Sequence, residues 1–251
     1  MDTPEAKLYQ ALLMVVGVVG SVLIYFIITI IRYQRRSLRL HKEKIQAEID
    51  TLENERTRIA SDLHDELGPL LSAVKLQINS LDAANDLDAL TIMKSSTHID
   101  SIITKLREIS NNLMPNTLVR KGLQKAIAEF VEQSNQATQS SGLQVKFICE
   151  QNLNLNQQKE INIYRIIQEI VHNTIKHAQA SCLIIKMVIE ENRLLLMTAD
   201  NGKGFDYFLK IKDNPGLGLR NLQSRAEVMG AELSCQSEPG KGTMYTFEIP
   251  L

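Results

Sequence analysis

Apolar and polar positions divide this chain into stretches of different period. From Leu8 to Ile31 no charged residue occurs, and a helix of that length extends roughly 36 Å, enough to cross a hydrocarbon core about 30 Å thick. A single transmembrane helix is predicted. Beyond it Leu38, Ile45, Leu52 and Ile59 recur every seven residues, with Ile49, Leu63 and Leu70 in the complementary position and Lys42 and Arg56 as polar exceptions. This is a coiled-coil register. The helical pattern continues through Leu67, Leu71, Val74, Ile78 and Leu81 as one long helix, breaks at the polar Leu81-Asp-Ala-Ala-Asn-Asp86, and resumes from Ile92 to Leu113, ahead of Pro115. Two antiparallel helices cannot bury such stripes alone. Two copies forming a dimeric antiparallel four-helix bundle, and hence a homodimer, are expected.

From about Gly122 the pattern changes. Alternating runs at Leu143–Glu150, Cys182–Ile189, Arg193–Ala199 and Thr243–Ile249, with two helices, predict a separate C-terminal α/β sandwich. The fold class is therefore α+β. The expected boundaries are 1–31 for the short N-terminus and membrane helix, 32–57 for the coiled coil, 58–116 for the bundle and 117–251 for the α/β domain.

Composition narrows the function. A length of 251 residues leaves room for one membrane segment and about two modest domains. A net charge of −1 and a pI near 6.5 argue against direct nucleic-acid binding. Charge is asymmetric in one place. Arg32, Arg35, Arg36, Arg39, Lys42 and Lys44 follow the apolar span, so the positive-inside rule puts the rest of the chain in the cytoplasm and the N-terminus outside. A cleaved signal peptide fits worse, because Met1-Asp-Thr-Pro-Glu-Ala-Lys7 lacks a basic n-region. No extracytoplasmic sensory domain is expected. Gly17 and Ser21 form a small-xxx-small pair, a weak hint of helix association. Cys149, Cys182 and Cys235 match no zinc spacing and read as small core residues in a reducing compartment.

His64 is the most informative candidate, in Glu55-Arg-Thr-Arg-Ile-Ala-Ser-Asp-Leu-His-Asp-Glu-Leu-Gly68. Its i−4 and i+4 neighbours are Ala60 and Gly68, so nothing bulky stacks over its ring. In the coiled-coil register it falls one step outside the seam. An isolated histidine on a charged face is ordinarily just solvated, and His98, without an acidic neighbour, takes that structural reading. For His64 the downstream residues weigh the other way. Glu169, Asn173 and His177 recur at i+4 along one predicted helix, with oxygen donors that suit Mg²⁺. Asp200-Asn-Gly-Lys-Gly-Phe205 follows a strand, Gly216-Leu-Gly-Leu-Arg220 opens a helix whose free N–H groups can hold phosphate, and Gly240-Lys-Gly-Thr243 leads into a last strand. Each glycine motif alone is weak, because hairpins and caps also use glycine.

Their order is specific. An acidic-amide helix, then Asp-x-Gly-x-Gly, Gly-x-Gly before a helix, and Gly-x-Gly-Thr resembles the GHKL (Bergerat) ATP-binding fold. With Glu55–Gly68 upstream, the chain resembles a sensor histidine kinase. The Glu-Arg-x-Arg-Ile-Ala-x-Asp-Leu-His-Asp-x-Leu-Gly run, the Leu113-Met-Pro…Gly-Leu123 linker and Gln168-Glu-x-x-x-Asn-x-x-Lys-His-Ala178 are similar to the nitrate-sensor/desaturase-regulator branch.

The resemblance implies a role for each matching residue. His64 is the phosphoacceptor and Asp65 orients and deprotonates it. Asn173 holds Mg²⁺ with Glu169, and Asp200 reads the adenine amino group. His177, Gly202, Gly204, Gly216, Gly218, Gly242 and Thr243 complete the ATP pocket. It further implies ATP and Mg²⁺ as cofactors, a bacterial inner-membrane location, and phosphotransfer to an aspartate of a separate response regulator with a helix-turn-helix output domain. One departure stands out: kinases of this type often carry Gln five residues after the histidine to position a water for dephosphorylation, whereas this chain has Pro69. Weak phosphatase activity and a kink near His64 are the expected consequences. Two rivals remain. One is an ATP-binding pseudokinase or scaffold signalling by dimer conformation; the other is a GHKL ATPase in which Glu169 activates water.

Overall fold

A computed structural model describes residues 4–114, 116–139, 142–149, 153–207 and 216–251. Helix α1 spans Pro4–Asp62. Residues 1–48 form a compact unit of their own, and within it the side chains of Val22, Leu23, Phe26, Ile27 and Ile30 are exposed. One helix among the described residues is long and apolar enough to cross a membrane.

The second unit covers residues 49–251. Its helical part carries an irregularity beside His64, where Pro69 leads one to expect a kink. A π-helical turn, Leu63–Leu67, separates α1 from α2 (Gly68–Asn79). Proline supplies the reason: in an α-helix the N–H of residue 69 would bond the Asp65 carbonyl, and Pro69 has none, while its ring crowds that carbonyl. A widened turn relieves the clash. The polar break falls where expected, and Asn85 caps α3 (Asp86–Leu113) by accepting from the Asp88 N–H at 2.9 Å. Pro115 itself lies outside the described residues. The antiparallel helices are tied by Lys75 and Asp100 at 2.6 Å and by the Ser110 hydroxyl donating to the Ala60 carbonyl at 3.1 Å. Leu67, Leu70, Val74, Leu90, Met93, Ile102 and Ile109 are exposed on this single chain.

After a short helix, α4 (Asn116–Lys121), the described residues of the α/β part include three longer helices rather than two: α5 (Leu123–Ala137), α6 (Gln157–Asn173) and α7 (Leu217–Met229). A second π turn, Thr174–Ala178, follows α6. The four expected strands are present as β1 (Gln144–Cys149), β2 (Cys182–Glu190), β3 (Arg193–Asp200) and β5 (Thr243–Pro250); Glu150, at the edge of the first run, lies outside the described residues. An additional edge strand, β4 (Glu232–Ser237), pairs with β5. The sheet order is β1-β2-β3-β5-β4, with β1 and β2 parallel and the other pairs antiparallel.

Alternation puts one sheet face inward. Leu183, Ile185 and Met187 of β2, Leu194 and Leu196 of β3, and Phe247 and Ile249 of β5 meet Ile127, Ile163, Ile166, Ile167, Ile170 and Leu222 from the helices in one core. Lys146, Lys186 and Met244 lie on the opposite, solvated face. Cys149, Cys182 and Cys235 are partly buried and not disulfide-bonded, and Cys149 accepts a hydrogen bond from Gln124 at 3.1 Å.

Candidate functional site

Two sets of residues carry chemistry, one on the helical pair and one on the sheet. His64 sits in the first π turn with its side chain 69% exposed, and Asp65 beside it is 67% exposed. His64 Nδ1 lies 2.9 Å from Asp65 Oδ1, and the Ser61 hydroxyl donates to Asp65 Oδ2 at 2.9 Å. The hydrogen bond from His64 and then that from Ser61 hold the Asp65 carboxyl below its usual range. Engaging Nδ1 leaves Nε2 as the ring nitrogen open to an incoming group.

The second set surrounds a cavity of about 410 Å³, within the size range of small-molecule sites. Asn173, His177, Asp200, Gly204, Gly216, Gly218 and Thr243, all nominated by the sequence, line it. Asp200 ends β3, opposite Thr243 of β5. Its Oδ1 accepts the Gly202 N–H at 2.8 Å. Burial pushes its carboxyl up, against the N–H bonds from Gly202 and Thr243.

Gly202 and Gly242 stand behind the cavity, and the backbone explains both. A Cβ on Gly202 would strike the Ala178 carbonyl; one on Gly242, whose φ is +77°, would strike the Asp200 carbonyl. The loop is pinned from both sides: the Lys203 N–H donates to the Ala178 carbonyl at 2.8 Å and the Gly240 N–H to the Lys203 carbonyl at 2.6 Å. Ser237 accepts the Phe205 N–H at 2.9 Å and lies 3.0 Å from the Thr243 hydroxyl.

Gly216 caps α7 with no side-chain hydrogen bond, and the amides that open a helix lack intrahelical partners and favour an anion; Leu217, Gly218 and Leu219 lie at the cavity wall. Glu169 lies one turn before Asn173 in α6 and lines a neighbouring cleft, but it borders the cavity at Gly218, where a Cβ would meet Glu169 Oε1 and Asn173 Nδ2. It stays in contact, since Asn173 Nδ2 donates to Glu169 Oε1 at 3.2 Å, which leaves Asn173 Oδ1 as the oxygen available to a cation. Among the described residues no group of three His, Cys, Asp or Glu could hold a metal.

Sequence reasoning missed a third set. Glu53 of α1 meets Arg165 of α6 at 2.7 Å and Arg225 of α7 at 2.6 Å. Arg165 also donates to the carbonyls of Asn112 and Leu113, at 3.0 and 2.5 Å, at the end of α3, and Arg225 to Asn162 Oδ1 at 2.8 Å. The one available signal was an arginine inside the apolar run Ile163-Tyr-Arg-Ile-Ile167.

The geometry therefore presents an exposed histidine-carboxylate pair and a separate glycine-walled cavity with a half-buried aspartate. Residues 55–118 match the family model described as "Histidine kinase", and residues 158–251 match that of "Histidine kinase-, DNA gyrase B-, and HSP90-like ATPase". The chain thus carries a histidine kinase domain and a histidine kinase-like ATPase domain. It is 29% identical over 230 residues to the oxygen sensor histidine kinase NreB of Staphylococcus carnosus, covering 87% of this chain and 62% of the relative. Over 212 residues it is 27% identical to the sensor histidine kinase ComP of Bacillus subtilis, covering 79% of this chain and 27% of ComP. The chain spans less than two thirds of either relative's length. The histidine kinase domain of a blue-light activated kinase from Erythrobacter litoralis shares its fold, with a TM-score of 0.51, 17% identity, and coverage of 76% of this chain and 94% of that domain.

Proposed function

We propose that the chain is a membrane-bound sensor histidine kinase of a two-component system, which phosphorylates His64 from ATP and passes the phosphoryl group to an aspartate of a separate response regulator with a helix-turn-helix output domain. The observation that carries this reading is the Nδ1···Oδ1 contact of 2.9 Å between His64 and Asp65 in a chain that also holds the Asp200 cavity.

Each residue has a defined task. Asp65 holds the Nδ1 proton and offsets the positive charge that grows on the ring as Nε2 attacks the γ-phosphorus. Asp200 accepts the exocyclic amino group of adenine at the base of the cavity. The amides that open α7 receive the phosphates. Gly216, with open space at its Cβ position, lets the nucleotide approach the backbone, Gly204 leaves room for the Glu238 and Gly242 carbonyls that back the wall, and Thr243 and His177 close it. Asn173 Oδ1 and the Glu169 carboxylate are hard oxygen donors that fit Mg²⁺, a cation bound through one or two protein groups with phosphate and water making up the rest. Bound there, Mg²⁺ supplies neutralisation of phosphate charge.

The apolar span followed by the basic cluster Arg32 to Lys44 supports a single-pass bacterial inner-membrane location with the catalytic part cytoplasmic. Leu70, Val74, Met93 and Ile102, exposed on one chain, support a homodimeric four-helix bundle. Pro69, which offers no side-chain hydrogen bond, makes this chain a poor phosphatase. The test is a chase: the chain labelled with γ-³²P-ATP and Mg²⁺, freed of nucleotide, is mixed with a panel of receiver-domain proteins. Label should move to one receiver's aspartate and persist there; label that stays on the chain with every receiver sinks the relay, and rapid ADP-independent release as phosphate sinks the weak-phosphatase reading.

A further inference from the structure

We propose that Ser61 is a positioning residue for His64 phosphorylation, acting through Asp65. This rests on the kinase reading above. Adjacent helical residues point about 100° apart and do not ordinarily face one another, so contact between His64 and Asp65 requires both the widened π turn and something to hold the carboxylate. Ser61, one turn earlier, faces Asp65. The two carboxylate oxygens divide the work: Oδ2 receives the Ser61 hydroxyl and Oδ1 meets His64 Nδ1, each at 2.9 Å.

The hydroxyl's choice of partner is itself informative. Helical Ser and Thr side chains ordinarily bond the carbonyl four residues back, as Thr57 does to Glu53, Ser72 to Gly68 and Thr104 to Asp100. Ser61 gives its proton forward to Asp65 instead. With Asp65 and His64 both about two-thirds exposed, no core packing fixes their rotamers, and this hydroxyl is the second anchor of the pair. A fixed carboxylate selects the Nδ1–H tautomer, because the hydrogen bond at one ring nitrogen decides which nitrogen keeps the proton.

The consequence falls on the transfer step. The Nε2 lone pair forms the N–P bond as the bond from the γ-phosphorus to the β–γ bridging oxygen breaks, and ADP leaves with that electron pair. The ring proton on Nδ1 passes to Asp65 and then to water. Losing Ser61 frees Asp65 to rotate, so that a smaller share of rings presents Nε2 unprotonated.

The experiment compares the full chain, in detergent micelles and ¹⁵N-labelled at histidine, with Ser61→Ala and Ser61→Thr, His64→Ala serving to assign the ring signal. In Ser61→Ala the maximal His64 labelling rate should fall roughly fivefold, with KM for ATP unchanged and the His64 ring nitrogens shifting from the Nδ1–H form toward a mixture; Ser61→Thr should restore both. An unchanged rate, or a lower rate with an unchanged tautomer, overturns the inference. If Ser61→Ala loses ATP binding, the isosteric pair Ser61→Thr and Ser61→Val decides it on the same two readouts. Wild type without label on His64 would sink the kinase reading, while the tautomer comparison would still decide the role of Ser61.

Discussion

Glu53 and Arg165 form a salt bridge of 2.7 Å between the helical pair and the α/β domain, with side chains only 13% and 5% exposed. Arg225, 10% exposed, bonds the other carboxylate oxygen, which Arg56 also reaches at 3.2 Å, so one acid is shared by three cations, two of them on the helices that flank the nucleotide cavity. A buried ion pair of this kind adds little over an apolar substitute, but removal of one member strands its partners. Glu53→Gln should therefore cost about 3 kcal/mol, read as a lower urea midpoint for the α/β domain; a midpoint within error of wild type would show the contact to be incidental.

The same pair sets an acid limit. Burial raises the Glu53 carboxyl, but Arg165 and Arg225 outweigh it and hold it below the ordinary glutamate range. A depressed carboxylate contributes stability that is complete above its unfolded pKa and is lost as pH falls through the folded one. The stability gap between wild type and Glu53→Gln should hold at neutral pH and narrow only below about pH 4.5. A gap that narrowed at alkaline pH instead would contradict this assignment.

Asp200 behaves oppositely, since burial raises its carboxyl. As pH falls toward that raised value the acid takes up a proton and becomes a weaker acceptor for the adenine amino group proposed to bind there. ATP affinity should therefore decline on acidification sooner than an ordinary aspartate would dictate. Asp200→Asn should weaken ATP binding roughly 100-fold or more in calorimetry, because an unmatched donor is left in the site, while the melting temperature of the apo chain stays near wild type. Unchanged affinity would remove Asp200 from the adenine site.

Gly242→Ala tests the backbone behind the cavity. Its φ of +77° and the Asp200 carbonyl in the way of any Cβ should cost about 2 kcal/mol, seen in urea unfolding. A neutral result would mean that the loop yields without strain.

Pro69 links local strain to chemistry. Pro69→Ala restores the N–H that an α-helix would give to the Asp65 carbonyl, and should stabilise the helical pair by about 1–3 kcal/mol. The gain should come with slower His64 labelling, because a regular turn draws Asp65 away from His64. Faster labelling in the stabilised variant would show that the π turn hinders the reaction.

Much of this was legible in the sequence, for identifiable reasons. Period-two runs such as Cys182–Ile189 became strands because one face meets the core, and Asp200, Gly204, Gly216, Gly218 and Thr243 converged on one cavity because each lies where a strand ends or begins or where a helix or loop opens. β4 escaped because only Leu233 and Cys235 interrupt its polar residues, and pairing with β5 rather than local pattern makes it a strand. The π turns at His64 and His177 were invisible to a 3.6-residue count, although Pro69 marked the first. Glu53 was beyond reach, since its buried partners Arg165 and Arg225 lie more than a hundred residues away and an acid on a charged helix reads as solvated.

The most direct measurement is autophosphorylation of the chain with γ-³²P-ATP and Mg²⁺, beside His64→Ala and Asp200→Asn. Acid-labile, base-stable label on wild type and on neither variant is the predicted result. No label on a folded, ATP-binding wild type, or label that survives in His64→Ala, would contradict the account.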